Sequence, residues 1–336
     1  MAAKKTGAHR GAARRIVTLA SALGMSLALG NTAEAYDEPN LNLGFTSFLD
    51  GGVPAGPGFY AVEYLQFYTA NKLTDQRGNN LGAELGLPKT DIDALVSLSQ
   101  LIYVSNLKIG PASPGLDVIV PWVASANVSD GVGNTVLRGT TGVGDLLIGP
   151  LLQFDPIMGA NGPLFVYRVE AQIIAPTGEY DWLSAVQPGA NFWSFDPYFA
   201  GTYFLTPDWT VSARIHYLWN GKNDAPNASL QQYMLPGESL VSSQAGQAFH
   251  VNFATEYAVT KELRIGLNGY YLQQTTDTEV NDIAIFGRKE RVAALGPGFM
   301  YSWGPERTLF FNAYQEFAAE NRPEGERFTL RYVQHF

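Results

Sequence analysis

The sequence predicts an all-β protein, a transmembrane up-and-down antiparallel β-barrel of about twelve strands. Three observations carry this expectation. Stretches of about ten residues alternate apolar and polar side chains between clusters of Gly, Pro, Asn and Asp, the pattern of strands with two unlike faces. The faces suited to hydrocarbon begin and end in aromatics, while the opposite faces carry Arg at mid-strand, where the core of a soluble β-sandwich would demand apolar residues. Short connections alternate with long ones, as periplasmic turns alternate with outer loops.

Composition narrows the alternatives. Of 336 residues, 46% are hydrophobic and 12% aromatic, which rules out a disordered chain. There is no Cys, so disulfides, thiolate metal sites and cysteine nucleophiles are all removed. A net charge of -9 would repel phosphate and argues against nucleic acid as a partner.

Residues 1–35 read as a signal peptide. Lys4, Lys5, Arg10, Arg14 and Arg15 make a basic start, Ile16 to Gly30 an apolar run, and Ala33-Glu34-Ala35 a small-x-small cleavage site. That run is too short to span a membrane as a helix, which takes about 20 residues. The expected destination after cleavage near Ala35 is the cell outer membrane of a Gram-negative envelope, with its lipid as a partner.

Residues 36–57 then form an N-terminal segment, periplasmic or tucked into the lumen, and residues 58–336 form the barrel. The strands are expected at 58–71, 94–108, 116–128, 142–154, 164–175, 192–205, 209–219, 246–258, 263–275, 290–303, 307–318 and 326–336. An even number returns both ends to the periplasm. Ile109–Gly115, Asp155–Gly162, Thr206–Asp208, Val259–Glu262 and Gly304–Glu306 are the short connections, whereas 72–93, 129–141, 176–191, 220–244 and 276–289 are the long ones. A tight turn centred on Thr260 would set Glu256 opposite Arg264 and Asn252 opposite Asn268. The last strand places Phe328, Leu330 and Tyr332 on one face and ends at Phe336; Tyr332 and Phe336 together resemble the signal read by the outer-membrane assembly machinery.

Two unlike lumen walls are expected. Strands five to twelve supply a polar wall of Arg168, Glu170, Asp196, Tyr198, Arg214, His216, His250, Asn252, Glu256, Arg264, Asn268, Tyr270, Tyr314, Glu316 and Arg331. Basic and acidic groups balance there, unlike the one-sided ring of an ion-selective channel. If Glu63 faces inward, the first four strands supply an apolar wall of Leu65, Phe67, Leu95, Leu101, Ile119, Val123, Leu147 and Leu151. Either residues 41–49 cover that wall or an apolar solute slides along it. A phenolic solute would set its ring there and its hydroxyl near Tyr198, Asn268 or Tyr314.

Catalytic chemistry finds little support. No G-x-S-x-G, H-E-x-x-H or phosphate loop is present. His216 and His250 read as satisfied lumen histidines, and no metal or cofactor is expected. Asp277, Glu279 and Asp282, or Glu320, Glu324 and Glu326, could offer oxygens to Ca²⁺ but lack EF-hand spacing, so solvated loops are the simpler account.

The runs GVGDLLIGPLLQF (Gly142 to Phe154), APTGEYD (Ala175 to Asp181), NFWSFDPYFAGTYF (Asn191 to Phe204), HYLWNGKND (His216 to Asp224), NGYYLQQ (Asn268 to Gln274) and ALGPGFMY (Ala294 to Tyr301) are similar to the outer-membrane family named after the meta-pathway of phenol degradation. The resemblance implies a transporter-like barrel linked to uptake of phenolic and other hydrophobic compounds. Alternatives are a narrow general porin for small polar solutes and a non-transporting structural or binding barrel of the envelope.

Overall fold

The computed structural model describes residues 42–336, apart from 54, 85–89, 131–134, 138 and 185. The expected signal peptide over 1–35 and residues 36–41 of the N-terminal segment lie outside these residues. Twelve long strands make the wall: β1 Gly58–Leu73, β2 Asp91–Val104, β3 Ala112–Ser129, β4 Leu146–Phe154, β5 Gly162–Ala175, β6 Ser194–Phe204, β7 Trp209–Asn220, β8 Ala248–Ala258, β9 Leu263–Gln274, β10 Arg291–Ser302, β11 Arg307–Glu320 and β12 Pro323–His335. Each pairs antiparallel with its chain neighbours. β1 and β12 close the sheet from Tyr60↔His335 to Leu73↔Pro323, so that no edge is left for lipid to meet.

Alternation decides what each face meets. Ile265 and Leu267 on β9 point outward and are about half exposed, as are Trp209 and Tyr257 at the periplasmic ends of β7 and β8. Between them, Asn268 and Tyr270 point inward and are fully buried. A closed barrel with an apolar belt, aromatic ends and a polar interior belongs in the outer membrane.

The periplasmic turns are short, and the outer connections are long with one exception. β11 and β12 are joined by Asn321 and Arg322 alone, with Asn321 at φ 55°. Strand therefore takes in Glu320, Glu324 and Glu326, which the sequence suggested as loop acids. Glu320 pairs with Arg291 and Glu324 with Lys72. The outer loops between β7 and β8 and between β9 and β10 meet in a small sheet of Ser243–Gln244, Thr278–Val280 and Ile283–Ile285.

In the β8–β9 hairpin, Glu256 pairs with Gly266 and Arg264 with Ala258. The turn is thus centred on Lys261 instead of Thr260. The Thr260 hydroxyl accepts from the N–H groups of Glu262 and Leu263, at 3.1 and 3.0 Å, and holds the longer turn. Because the displacement is even, every side chain keeps its face. Arg264 reaches the carbonyls of Pro207 and Asp208 in the next turn.

The phase of β1 and β2 is opposite to the expectation. Tyr60, Val62, Tyr64 and Gln66 are buried inside, while Phe59, Leu65 and Phe67 are exposed outside. Through the pairs Phe67↔Leu95 and Ala61↔Leu101, Leu95 and Leu101 share that outer face. Glu63, taken as an inward anchor, also points outward and accepts a hydrogen bond from Ser99. One outward carboxylate hydrogen-bonded to Ser99 is tolerated, whereas a lumen of Tyr, Gln and Val uses hydroxyls and amides that lipid could not satisfy.

Candidate functional site: the barrel lumen

Residues 42–51 run along the lumen and contact strands on all sides. The Gly44 N–H donates to Asn252 Oδ1 at 2.8 Å, and Gln66 donates to the Leu43 carbonyl at 3.2 Å. Gly44 has φ +74°, and a Cβ there would stand 2.8 Å from the Tyr314 ring; only glycine lets the segment pass so close. Leu43 packs into an apolar layer of Leu147, Ile174, Leu218, Leu272 and Val292 at the outer ends of β4, β5, β7, β9 and β10, with Ile119 against it. Phe48 packs on Ala254, Met300 and Phe310 nearer the periplasm.

Between these apolar contacts lies a charged layer. Arg214 on β7 donates twice to Asp50, with Nε–Oδ2 at 2.7 Å and Nη2–Oδ1 at 2.6 Å. The same guanidinium stacks over the Tyr198 ring at 4.3 Å. Tyr198 donates to Glu170 at 2.5 Å, and Tyr64 donates to Gln100, which donates to Asp117. Opposite, Glu316 accepts from Tyr270 and Tyr68 at 2.6 and 2.8 Å, while Arg327 lies 3.5 Å from it. Glu256 accepts from Thr210. Such pairing suits charges removed from water, which are costly alone.

Arg168, Glu170, Asp196, Tyr198, Arg214, His216, His250, Asn252, Glu256, Asn268, Tyr270, Tyr314, Glu316 and Arg331 are all buried on the inner face. Arg264 is half-buried at the periplasmic end. Of the residues assigned to the apolar wall, Ile119, Val123, Leu147 and Leu151 face inward. Leu65, Phe67, Leu95 and Leu101 face lipid, so the apolar lining is a layer across the barrel axis instead of one wall along it. Tyr332 faces outward opposite Glu63, and Phe336 is exposed with its N–H on the Phe59 carbonyl. Sequence reasoning missed Asp50, Asp117 and Arg327. Asp117 and Arg327 each share a face with an inward residue two or four places away, and that period could have found them.

Three ladders between the twelve long strands are interrupted, each beside a proline: β10–β11 skips between Leu295↔Gln315 and Gly298↔Asn312 at Pro297, and the other two gaps flank β5 and β6. The β4–β5 ladder stops at Ile148↔Ile173 and resumes at Leu151↔Glu170, leaving Gly149 and Pro150 without ladder partners on β5. The β6–β7 ladder skips likewise between His216↔Tyr198 and Trp219↔Phe195, beside Pro197. Proline has no N–H to give. A cavity of about 640 Å³ lies here, lined by lumen residues Leu151, Glu170, Tyr198 and His216 and by lipid-facing Leu152, Phe199 and Ile215. A Cβ on Gly149 would fall 2.2 Å from the Glu170 carboxylate, which fills the gap from inside.

Fold and lumen together define an outer-membrane β-barrel. The chain belongs to the family described by the MetA-pathway of phenol degradation, which it matches over residues 70–332. It is similar in fold to the COG4313 outer membrane channel from Pseudomonas putida F1, with 18% identity and a TM-score of 0.71 over 88% of this chain and 100% of that one. The β domain of the Bordetella autotransporter BrkA gives 12% identity and a TM-score of 0.45 over 83% and 100%. No curated protein matches.

Proposed function

We propose that the barrel is a passive outer-membrane channel for small hydrophobic solutes, aromatic ones such as phenols among them, which leave the lumen sideways through the interrupted wall. The observation that carries this reading is the cavity at Pro150 and Pro197, where lumen and lipid-facing side chains line one space. Residues 42–51 occupy the axial path through Asp50 and Arg214, which disfavours a wide aqueous pore. A sugar leaving through an apolar opening would lose hydration with nothing in return, whereas an aromatic ring would gain. The apolar layer around Leu147 and Leu272 suits the ring, and the buried Asn268 amide and Tyr314 hydroxyl, which have no hydrogen-bond partner among the described residues, suit a solute hydroxyl. The channel does no chemistry on its solute.

The test is uptake by a permeability-deficient host carrying wild type or Ala171→Trp. Ala171 lines the cavity opposite Pro197, and a Trp there obstructs the opening while leaving the charged layer intact. Aromatic uptake is expected to fall severalfold with sugar uptake at background in both. Equal loss of aromatic and sugar would indicate a general pore. Unchanged aromatic uptake with the variant assembled would overturn the lateral route, and no uptake by wild type would indicate a structural barrel.

A further inference from the structure

His216 on β7 and His250 on β8 are directly opposed, their rings stacked with centroids 4.1 Å apart at 15°. Asp196 on β6 reaches both: Oδ2 lies 2.9 Å from His216 Nδ1, and Oδ1 lies 3.4 Å from His250 Nε2. All three side chains are buried. One His–Asp hydrogen bond accounts for only part of this geometry. Asp196 Oδ1 and His250 Nε2 make only this long ion pair and no hydrogen bond, and His250 Nδ1 and His216 Nε2 have no hydrogen-bond partner either, an arrangement that is expensive in a buried site.

We propose that Asp196, His216 and His250 form a binding site for a divalent transition-metal ion of the Zn²⁺ type. Two imidazole nitrogens and a carboxylate oxygen are the donors such an ion takes, and their potential ligand atoms all lie within 4.8 Å of one another. A set with two nitrogens does not suit Ca²⁺ or Mg²⁺, which take oxygens. Sequence spacing could not show the site, because its ligands come from three strands.

The ion would pin β6 to β7 and β8 beside Pro197, where the β6–β7 ladder is interrupted. It replaces missing backbone hydrogen bonds with coordination and keeps one rim of the wall opening fixed. This assignment stands apart from the transport reading, since a metal clamp serves a sealed barrel equally well.

The test uses the full barrel in detergent, without a histidine tag, stripped with chelator and then titrated calorimetrically with Zn²⁺ and spectroscopically with Co²⁺. One Zn²⁺ per barrel and a visible Co²⁺ spectrum are expected. His250→Gln and Asp196→Asn should each weaken Zn²⁺ binding by about 100-fold, the upper end of what even an outer-shell partner contributes. His335→Gln, at the exposed periplasmic rim, should leave binding unchanged. Heat-modifiable migration reports folding of each variant. A folded wild type that takes up no Zn²⁺ and gives no Co²⁺ spectrum would reduce the cluster to an ion pair, and unchanged binding in both folded ligand variants would also overturn the site. Should the variants fail to fold, the wild-type stoichiometry and spectrum decide.

Discussion

The two sides of the cylinder are built to different standards. From β7 to β10 the ladders are continuous: β7–β8 runs from Trp209↔Tyr257 to Leu218↔Ala248, and β8–β9 and β9–β10 follow without a break. Between β4 and β5 and between β6 and β7 they are interrupted at Pro150 and Pro197, with the cavity beside them, whereas the like gap between β10 and β11 at Pro297 is flanked by unbroken ladders. In hydrocarbon an unpaired backbone group costs several kcal/mol, so an open ladder survives only where side chains or a cavity cover it. The comparison teaches that closure need not be uniform. The N-terminal segment is held from both sides, by Arg214 and Asn252 and by Thr202 and Gln153, while the paired gaps and the cavity lie on one.

The largest expected effect falls on the anchor. Arg214→Ala leaves Asp50 buried without its partner and should destabilise the barrel by about 3–5 kcal/mol, measured by denaturant unfolding in detergent. Adding Asp50→Ala should recover much of the loss. A single variant as stable as wild type would show that the Asp50–Arg214 pair does not anchor the segment.

Next comes the phase of β1. Leu65→Arg sets a cation against lipid near mid-strand and should cost about 2–4 kcal/mol. Near-neutral behaviour would return Leu65 to the lumen and with it the wall the sequence suggested.

A smaller effect separates the two sides directly. Pro197→Ala restores a backbone donor at the interrupted ladder and should add about 0.5–1.5 kcal/mol, with slower hydrogen exchange across β6 and β7 and reduced aromatic uptake. Faster exchange would mean that proline stiffens the opening. Least of all, Glu63→Leu should shift stability by less than about 1 kcal/mol, because an apolar side chain suits the outer face and only the exposed Ser99 hydrogen bond is lost. A larger loss would assign Glu63 a structural partner beyond Ser99.

Alternation made most of the barrel legible, because a strand between lipid and a polar lumen must separate its side chains by parity. The polar wall was readable for the same reason: Arg168, Arg214 and Arg331 can face only inward. The reading failed at β1 and β2, where Glu63 set the phase although Tyr60, Tyr64 and Gln66 argued the other way. Asp50 carries no periodic signal, since its place depends on a segment folding back onto Arg214. The cluster of Asp196, His216 and His250 was equally invisible as a unit, for register across three strands brings it together. Pro150 and Pro197 stood in plain view. Their meaning depends on which ladder lacks the donor, and that is a property of neighbours.

The N-terminal segment is continuous with the first strand. Only residues 51–57 separate Asp50 from the first strand, and at the periplasmic rim Tyr60 donates to the Gly56 carbonyl at 2.5 Å and His335 lies 3.2 Å from the Pro57 carbonyl. So short a tether holds Asp50 near Arg214 at an effective concentration on the order of millimolar. A segment that lets go is recaptured from within, so the axial path would open in brief intervals instead of lasting states. A free peptide of residues 42–57, supplied to a barrel lacking them, would have to reach that concentration before it restored the block.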